Sequence, residues 1–430
     1  MIRKWKKGIS GEFAKNVLTL MTGTVIGQAA VLLLSPVITR LFNAEDLAGL
    51  EQYTMIIVVL SVIVTGKYEF AIMAPKSRED ARLLLVLSLR IAFFVCLALL
   101  AASFFLADQV SEFYNNPSLG RWLWTLPIAL LAMAMFNSIN YWFTRQKNFK
   151  VSATSKIWFS AASEPMKIGT GLAALGSAGL YVSTLAGNIL SAVYCFFHFR
   201  RDEERGLQLT DKKRMWQLAR EFREYPFISI WGSILNRIAQ WAHIGVFSFY
   251  YGIEVVGYMA LCRRVVQAPL NIVSNSYSQV FYQRISEFDD PADLGRFYTK
   301  NLMRFLAFAA LMVVVIQVWP DNTMGFIFGA DWRPAMEYLK ILVFWFALNF
   351  VTSSLAFITY RIRIQKAALF LDALHFAFIY GAILYSHHHD FNKVEALKAL
   401  VCAKVVYFAT NILLVYLLVK KYSRQSPVQG

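Results

Sequence analysis

Residues 226–283 read PFISIWGSILNRIAQWAHIGVFSFYYGIEVVGYMALCRRVVQAPLNIVSNSYSQVFYQ, which contains two apolar segments separated by a short break. Each segment is long enough to cross a bilayer, and both carry arginine well inside them. A cation near the centre of a membrane helix costs roughly 2.5 to 3.5 kcal/mol by insertion scales, so it normally faces a cavity or a partner. Arg237, Arg263 and Arg264 therefore predict a polar environment within a membrane protein.

The composition of the whole chain indicates an integral membrane protein. Of its 430 residues, 57% are hydrophobic and only 16% are charged, and the mean hydropathy is +0.46. A soluble domain of this size could not carry so apolar a composition on its surface. The net charge of +16 would suggest nucleic acid in a soluble protein, but here it reflects basic loops on one membrane side, and no nucleic-acid partner is expected.

Apolar runs of about 20 residues recur along the chain and predict an all-α fold of about twelve transmembrane helices. They form two lobes of six helices, at 16–199 and 226–419, joined by a basic linker at 200–225. An amphipathic basic N-terminus at 1–15 and a tail at 420–430 flank the lobes. The predicted spans lie near 16–39, 47–73, 83–106, 122–144, 151–174, 177–199, 226–251, 254–281, 302–328, 334–360, 367–386 and 396–419.

Basic residues are distributed very unevenly between the two membrane sides. Most loop lysines and arginines lie at the N-terminus, after even-numbered spans and at the C-terminus. On the other side, the predicted loops hold Arg40, Arg121, Arg333 and Lys393. Because positive loops stay in the cytoplasm, both termini and the linker are predicted to be cytoplasmic. An even number of spans per half predicts a parallel repeat, with a substrate site near the midplane between the halves.

Four stretches of the chain resemble one family of membrane transporters. They are LLSPVITRLFNAEDLAGLEQY at 33–53, GKYEFAIMAPKSREDARLL at 66–84, 249–287, and FIFGADWRPAMEYLKIL at 326–342. These stretches resemble the lipopolysaccharide, O-antigen and capsule oligosaccharide flippases of the MOP (multidrug, oligosaccharidyl-lipid, polysaccharide) exporter superfamily. The resemblance extends over nearly the whole chain.

The resemblance implies a two-lobe flippase, related to lipid II flippases, in the bacterial inner membrane. Such a protein moves an undecaprenyl-diphosphate-linked oligosaccharide from the cytoplasmic to the periplasmic leaflet by alternating access, as a step of polysaccharide biosynthesis. A cationic central cavity, lined largely by the first two helices of each lobe, would receive the diphosphate. The implied partners are the lipid-linked oligosaccharide, membrane lipids and other glycan-assembly proteins.

Polar side chains recur at steps of three or four residues on the seventh and eighth spans, which places them on one face of each helix. A guanidinium can donate two parallel hydrogen bonds to a diphosphate. The alternative is that the polar groups join helices while the arginines snorkel or pair with acids. Arg237 is the strongest candidate because it lies near the middle of its span. The candidate set on these two spans is Asn236, Arg237, Gln240, Arg263, Arg264, Gln267 and Asn271.

Two further candidates for substrate binding lie on the first two spans. Lys67 stands in a KYE motif, where the resemblance puts a basic residue. The alternative is that Lys67 snorkels toward the headgroups. Gln28 lies beside Gly23 and Gly27, whose spacing is typical of a small-residue surface for helix packing.

Titratable groups at membrane depth are candidates for coupling transport to an ion gradient. They are Glu69, Glu164, Asp372 and His375. Asp372 and His375 are spaced to meet on one helical face, and Glu164 with Lys167 has the spacing of an intrahelical ion pair. A structural pair is the alternative to a proton relay in both cases.

Other functional classes fit the sequence less well. A drug or metabolite exporter of the same superfamily would be expected to keep acidic groups for cationic cargo, whereas the two polar stripes carry cations. A membrane-embedded glycosyltransferase or polymerase would need a sizeable extramembrane domain or a clustered acid-base site, and the linker has neither. The HHHD run at 387–390 has no second ligand cluster. The chain is therefore predicted not to be an enzyme and to need no metal or cofactor.

Overall fold

The computed structural model of the protein describes the backbone of residues 11–146, 148–202, 211–241, 243–362 and 364–424. Side chains are described in these ranges except at 11–22, 202, 228, 229, 232, 235, 236, 239, 279, 283, 360 and 365–373. Every regular element in the described ranges is a helix. The chain divides into two compact units, Met1–Gly245 and Val246–Gly430, called unit 1 and unit 2 below.

Unit 1 consists mostly of long helices, with several helices of ten residues or fewer between them. A π-helical turn at Tyr225–Ser229 leads into α10, and α11 contains the boundary between the units. The helices are α1 (Gly11–Leu41), α2 (Ala44–Val64), α3 (Tyr68–Ala71), α4 (Arg78–Phe113), α5 (Pro117–Arg121), α6 (Thr125–Arg145), α7 (Phe149–Leu172), α8 (Gly176–Asp202), α9 (Lys212–Glu221), α10 (Ile230–Trp241) and α11 (His243–Tyr251).

Unit 2 has the same kind of construction. A second π-helical turn, Arg263–Gln267, separates its first two helices, and a 3₁₀ turn, Ala330–Trp332, follows α15. The helices are α12 (Ile253–Cys262), α13 (Ala268–Ser286), α14 (Pro291–Gln317), α15 (Thr323–Phe328), α16 (Ala335–Ser354), α17 (Ile358–Arg361), α18 (Gln365–His388) and α19 (Lys393–Ser423).

Long helices follow the predicted spans in the predicted order. Among the described residues, eight helices are long and apolar enough to cross a membrane by length and composition, namely α1, α2, α4, α6, α8, α14, α16 and α19. The other predicted spans fall on α7, on α18, and on the interrupted segments 225–251 and 253–286. Residues 226–245 group with unit 1 by their contacts, and the lobe boundaries at 199 and 226 stay a prediction.

Two predicted spans differ from the helices in instructive ways. The ninth span, predicted near 302–328, corresponds to α14, which ends earlier, at Gln317, and also begins earlier, at Pro291. It begins there because the Asp290 carboxylate accepts a hydrogen bond from the Ala292 N–H at 2.8 Å. Its first turns are polar, so a hydropathy scan misses them. The second span, predicted as one run at 47–73, breaks after α2, where Gly66 and Lys67 both have left-handed φ angles of 61° and 62°. Glycine adopts this conformation readily, but lysine does not.

Small residues bring α1 against α7. A Cβ atom at Gly23 would lie 2.5 Å from the Ala153 carbonyl oxygen, and one at Gly27 would lie 3.0 Å from Ser160 Oγ. The two helices therefore approach more closely than larger residues would allow, as the spacing of the glycines predicts. Across the same interface, Lys156 Nζ donates to Thr24 Oγ1 at 3.0 Å.

The core of unit 2 lies around α16, which packs against α12, α13, α14 and α19. Most of its aromatic and aliphatic side chains, including Trp345, Phe350 and Val351, are buried. A helix that is apolar on most of its circumference must be surrounded by other helices. A charged group that is buried against this helix therefore lies in a dry environment.

Candidate functional site

Unit 1 brings two of the predicted cations together. On α10, which packs against α2, Arg237 and Gln240 lie on one exposed face. The turn after α2 places Lys67 near Glu69, whose charge attracts it, and near Arg237, whose charge repels it. Among the described residues, no carboxylate lies within ion-pair distance of either cation. Two like charges at membrane depth are unfavourable unless an anion offsets their repulsion.

The KYE motif fixes the position of Lys67. The Tyr68 hydroxyl donates a hydrogen bond to the carbonyl oxygen of Ala219 on α9 at 2.8 Å. Glu69 is buried and accepts a hydrogen bond from Thr65 Oγ1. The half-buried Lys67 has its Nζ 4.6 Å from the centroid of the Phe70 ring. A lysine in a left-handed conformation is strained and persists only when its neighbours hold it, and here both neighbours in the motif are anchored.

Unit 2 places the arginine pair on its π-helical turn. The Ala268 N–H donates to the carbonyl of Arg263, five residues earlier, which is the π-helical pattern. Pro269 follows directly and has no N–H to continue the regular α-helical ladder. Arg263 Nε donates to Gln267 Oε1 at 3.3 Å. Turns of this kind frequently occur at functional sites, and this one carries three predicted site residues: Arg263, Arg264 and Gln267.

Lys404 is a functional candidate that the sequence reasoning missed. It lies on α19 with only 1% of its surface exposed. Its Nζ lies 3.7 Å from the ring centroid of Trp345 on α16, and the group lies near Arg263 and His375. The sequence signal was a lone lysine inside the run VCAKVVYF. No polar residues recur beside it at helical spacing, so it did not form part of a stripe.

His375 lies against the same cluster. Its ring stacks on Tyr407 with 3.9 Å between centroids and an interplanar angle of 11°. Nε2 is buried without a hydrogen-bond partner among the described residues. The Asp372 side chain is outside the described residues, so the predicted pairing of Asp372 with His375 stays a prediction. The Asn236 side chain is likewise outside them.

The polar stripe after the π-helical turn divides into two rows. Asn271 and Asn275 are exposed. Ser274 and Ser278 are buried and donate to the carbonyls of Asn271 and Asn275, at 3.2 and 2.9 Å. The exposed asparagines have side-chain donors and acceptors for a polar ligand, whereas the serine hydroxyls donate hydrogen bonds to backbone carbonyls of their own helix.

The remaining candidates lie on α1 and α7 of unit 1. Glu164 and Lys167 form an ion pair on α7 with 2.5 Å between Oε1 and Nζ and with 1% and 8% of their side chains exposed. The pair matches the structural alternative raised by its spacing, and a coupling role for Glu164 stays a prediction. Gln28 is exposed on α1.

Solved transporter structures share this arrangement of helices. The lipid II flippase MurJ, in an inward closed conformation, aligns with a TM-score of 0.70 at 13% identity, covering 95% of this chain and 90% of that one. A multidrug-resistance MATE transporter of the MOP superfamily aligns in its inward-facing conformation with a TM-score of 0.62 at 12% identity, covering 93% and 96%. A MATE transporter in the outward-facing conformation aligns with a TM-score of 0.58 at 12% identity, covering 96% of this chain and 97% of that one. These likenesses confirm the predicted fold class.

The sequence itself matches one family model over most of its length. No curated protein matches the chain significantly. The model described as "Polysaccharide biosynthesis protein" matches residues 37–337, which include the KYE motif, Arg237 and the π-helical turn with its arginines. With this match and the fold of MurJ and MATE transporters, the chain belongs to the polysaccharide biosynthesis protein family.

Proposed function

We propose that the protein is a flippase for an undecaprenyl-diphosphate-linked oligosaccharide, which it moves from the cytoplasmic to the periplasmic leaflet by alternating access. The family match supports a role in polysaccharide biosynthesis. The solved flippase with the same fold is named for lipid II. The observation that carries the proposal is the clustering of cations without acidic partners at ion-pair distance among the described residues, in unit 1 at Lys67 and Arg237.

The chemistry of a diphosphate suits these clusters. Arg237 can donate two parallel hydrogen bonds to phosphate oxygens, while Lys67 supplies a compact point charge. In unit 2, Arg263 is held by Gln267 and repelled by Lys404. A bound anion would relieve the repulsion within each cluster, so the conformation that best surrounds the anion gains stability on binding. This difference in affinity between conformations is what a transport cycle requires.

The basic loops bear on where the protein lies and how it is oriented in the membrane. The distribution of basic residues supports a multi-pass protein of the bacterial inner membrane with both termini in the cytoplasm. In that orientation the substrate would be taken up where glycosyltransferases assemble it. The pathway would be the synthesis of O-antigen or another lipopolysaccharide or capsule glycan, with glycan-assembly proteins as partners.

Export of a drug or metabolite is the alternative, and the likeness to a multidrug-resistance MATE transporter favours it. A carrier for cationic drugs needs buried acids that face its cargo, whereas the clusters at Arg237 and Arg263 are cationic. The two functions differ in what a flippase-deficient strain reveals. Restored surface glycan supports a flippase, and drug resistance without restored glycan supports an exporter.

Complementation of a flippase-deficient strain with Arg237 variants tests the proposal. Loss of one charge-assisted, bidentate contact corresponds to about 1.5 to 3 kcal/mol. We therefore expect Arg237→Ala to reduce surface glycan by about tenfold or more and Arg237→Lys to retain part of it. Arg223→Ala, an exposed arginine of the same unit, serves as the control. Wild-type glycan with both Arg237 variants at normal expression would refute the diphosphate role.

A further inference from the structure

The short helix α9 is fastened to the beginning of α4. Arg214 on α9 donates from Nε and Nη2 to the two carboxylate oxygens of Asp80, at 3.0 and 2.7 Å. Leu218 is buried with 1% exposure in the apolar cluster that also contains Tyr68 and Leu84. These contacts hold α9 at a fixed place beside α4, so the groups between the two helices form a defined surface.

A depression of ≈ 530 Å³ lies on this surface. Two cations, Arg90 and Lys212, stand beside four apolar side chains, and Phe93 and Phe94 are 52% and 66% exposed. A volume of this size is within the range of ligand sites. The lining residues are Val86, Leu89, Arg90, Phe93, Phe94 and Lys212.

The residues that line the depression carry positive charge without negative charge. None of its lining residues is acidic. Lys212 forms no ion pair with any residue of the described ranges, and the Arg90 guanidinium contacts the sulfur of Met215, a weak acceptor, at 3.8 Å. The neighbouring Arg214 is already neutralised by Asp80. Arg90 and Lys212 are therefore available to bind an anion.

The position of Arg90 along α4 shows what kind of anion fits. α4 has 36 residues and is about 54 Å long at ~1.5 Å per residue, well beyond the roughly 30 Å of a hydrocarbon core. The run from Ile91 to Ala107 contains no charged residue. Arg90 is the charged residue that directly precedes this run, after the mostly apolar residues 83–89, and Phe93 and Phe94 lie one turn further along the helix. A ligand with an anionic head and a hydrocarbon body would satisfy both parts of the depression.

We propose that this depression binds an anionic phospholipid of the phosphatidylglycerol type. Its phosphate contacts Arg90 and Lys212, and its acyl chains lie along Phe93 and Phe94. Basic residues near a membrane surface attract anionic lipids with about 1 kcal/mol each. None of its lining residues belongs to the cation clusters at Arg237 and Arg263, and its occupancy does not depend on what the protein transports.

Native mass spectrometry of the full-length protein in neutral detergent tests the proposal. The protein is titrated with phosphatidylglycerol, with phosphatidylcholine of the same acyl chains, and with inorganic phosphate. We expect the wild type to prefer phosphatidylglycerol, and Arg90→Gln/Lys212→Gln to bind it roughly ten- to thirtyfold more weakly. The single variant Lys212→Gln, at an exposed position, should lose about fivefold.

A matched double variant separates the site from general surface charge. Lys213→Gln/Arg223→Gln removes the same charge from the same region at exposed positions outside the depression. We expect it to bind phosphatidylglycerol within about twofold of the wild type, because neither side chain reaches the proposed phosphate position. An equal loss in both double variants, equal wild-type binding of both lipids, or competition by inorganic phosphate at similar concentration would overturn the proposal.

Discussion

Burial of the Lys404 ammonium group costs free energy because the group loses its hydration. The ammonium group is almost completely buried and faces the Trp345 ring at 3.7 Å. A desolvated cation–π contact contributes about 2 kcal/mol or more, which offsets only part of the cost of burying a charge. The nearby Arg263 adds repulsion. The contacts of Lys404 therefore return only part of the cost of its burial, and we propose that it adds positive charge to the arginine cluster of unit 2.

The variant Lys404→Met tests this role. Methionine keeps an unbranched side chain against Trp345 and removes the charge, so we expect the melting temperature of the purified protein to stay or rise. Surface glycan in the complemented strain should fall by about tenfold, and Lys404→Arg should retain part of it. Lys398→Met, exposed on the same helix, is the control. Wild-type glycan with Lys404→Met would show that the charge has no part in transport.

Individual site residues were predictable to different degrees. Arg237 and Arg263 became candidates because a cation within an apolar run violates the composition of a membrane span. The proximity of Lys67 to Arg237 could not, since it depends on the left-handed break at Gly66 and Lys67. Lys404 violates the same composition rule, but its neighbours are a tryptophan and a histidine on other helices, and sequence periodicity reports only neighbours on the same helix.

At the scale of the helices, α1 and α7 approach each other closely because Gly23 on α1 has no side chain. At Gly23 the Ala153 carbonyl oxygen occupies the space that a methyl group would need. Backbone atoms cannot rotate away as a flexible side chain can. The interface of these helices should therefore tolerate no added carbon at this position, whereas a glycine in open space should accept one.

Substitution of single glycines by alanine distinguishes these two cases. Gly23→Ala forces α1 away from α7, and overpacking of this kind costs about 1 to 3 kcal/mol. Gly169→Ala on α7 is the control, because a Cβ there would meet no atom within 4 Å and alanine favours the helix by up to about 1 kcal/mol. We expect a lower melting temperature in detergent for Gly23→Ala alone. Equal melting temperatures would contradict the close approach.

Helix order was predictable from hydropathy, but helix ends and interruptions were not. The start of α14 at Pro291 depends on a cap by Asp290 that a search for apolar runs cannot detect. The π-helical turn at Arg263–Gln267 depends on backbone geometry next to Pro269. Both features determine where polar side chains lie along a span. The sequence therefore predicted which residues are candidates for the site, but not their relative positions in space.

In the molecule as a whole, each unit carries its own cation cluster. Unit 1 has Lys67 and Arg237, and unit 2 has Arg263 and Lys404. The family match over 37–337 includes Lys67, Arg237 and Arg263, and the fold is that of MurJ and MATE transporters. Our central claim is that these cations bind the diphosphate of a lipid-linked oligosaccharide during its translocation.

Translocation by the purified protein tests this claim most directly. The protein is reconstituted into liposomes with a fluorescent undecaprenyl-diphosphate-linked oligosaccharide, and loss of outer-leaflet signal to a membrane-impermeant glycosidase or quencher is followed. We predict rapid exchange with the wild type and at least tenfold slower exchange with Arg237→Ala, against unchanged exchange with Arg223→Ala. Exchange by the wild type no faster than in protein-free liposomes, or equal exchange by Arg237→Ala, would contradict the account.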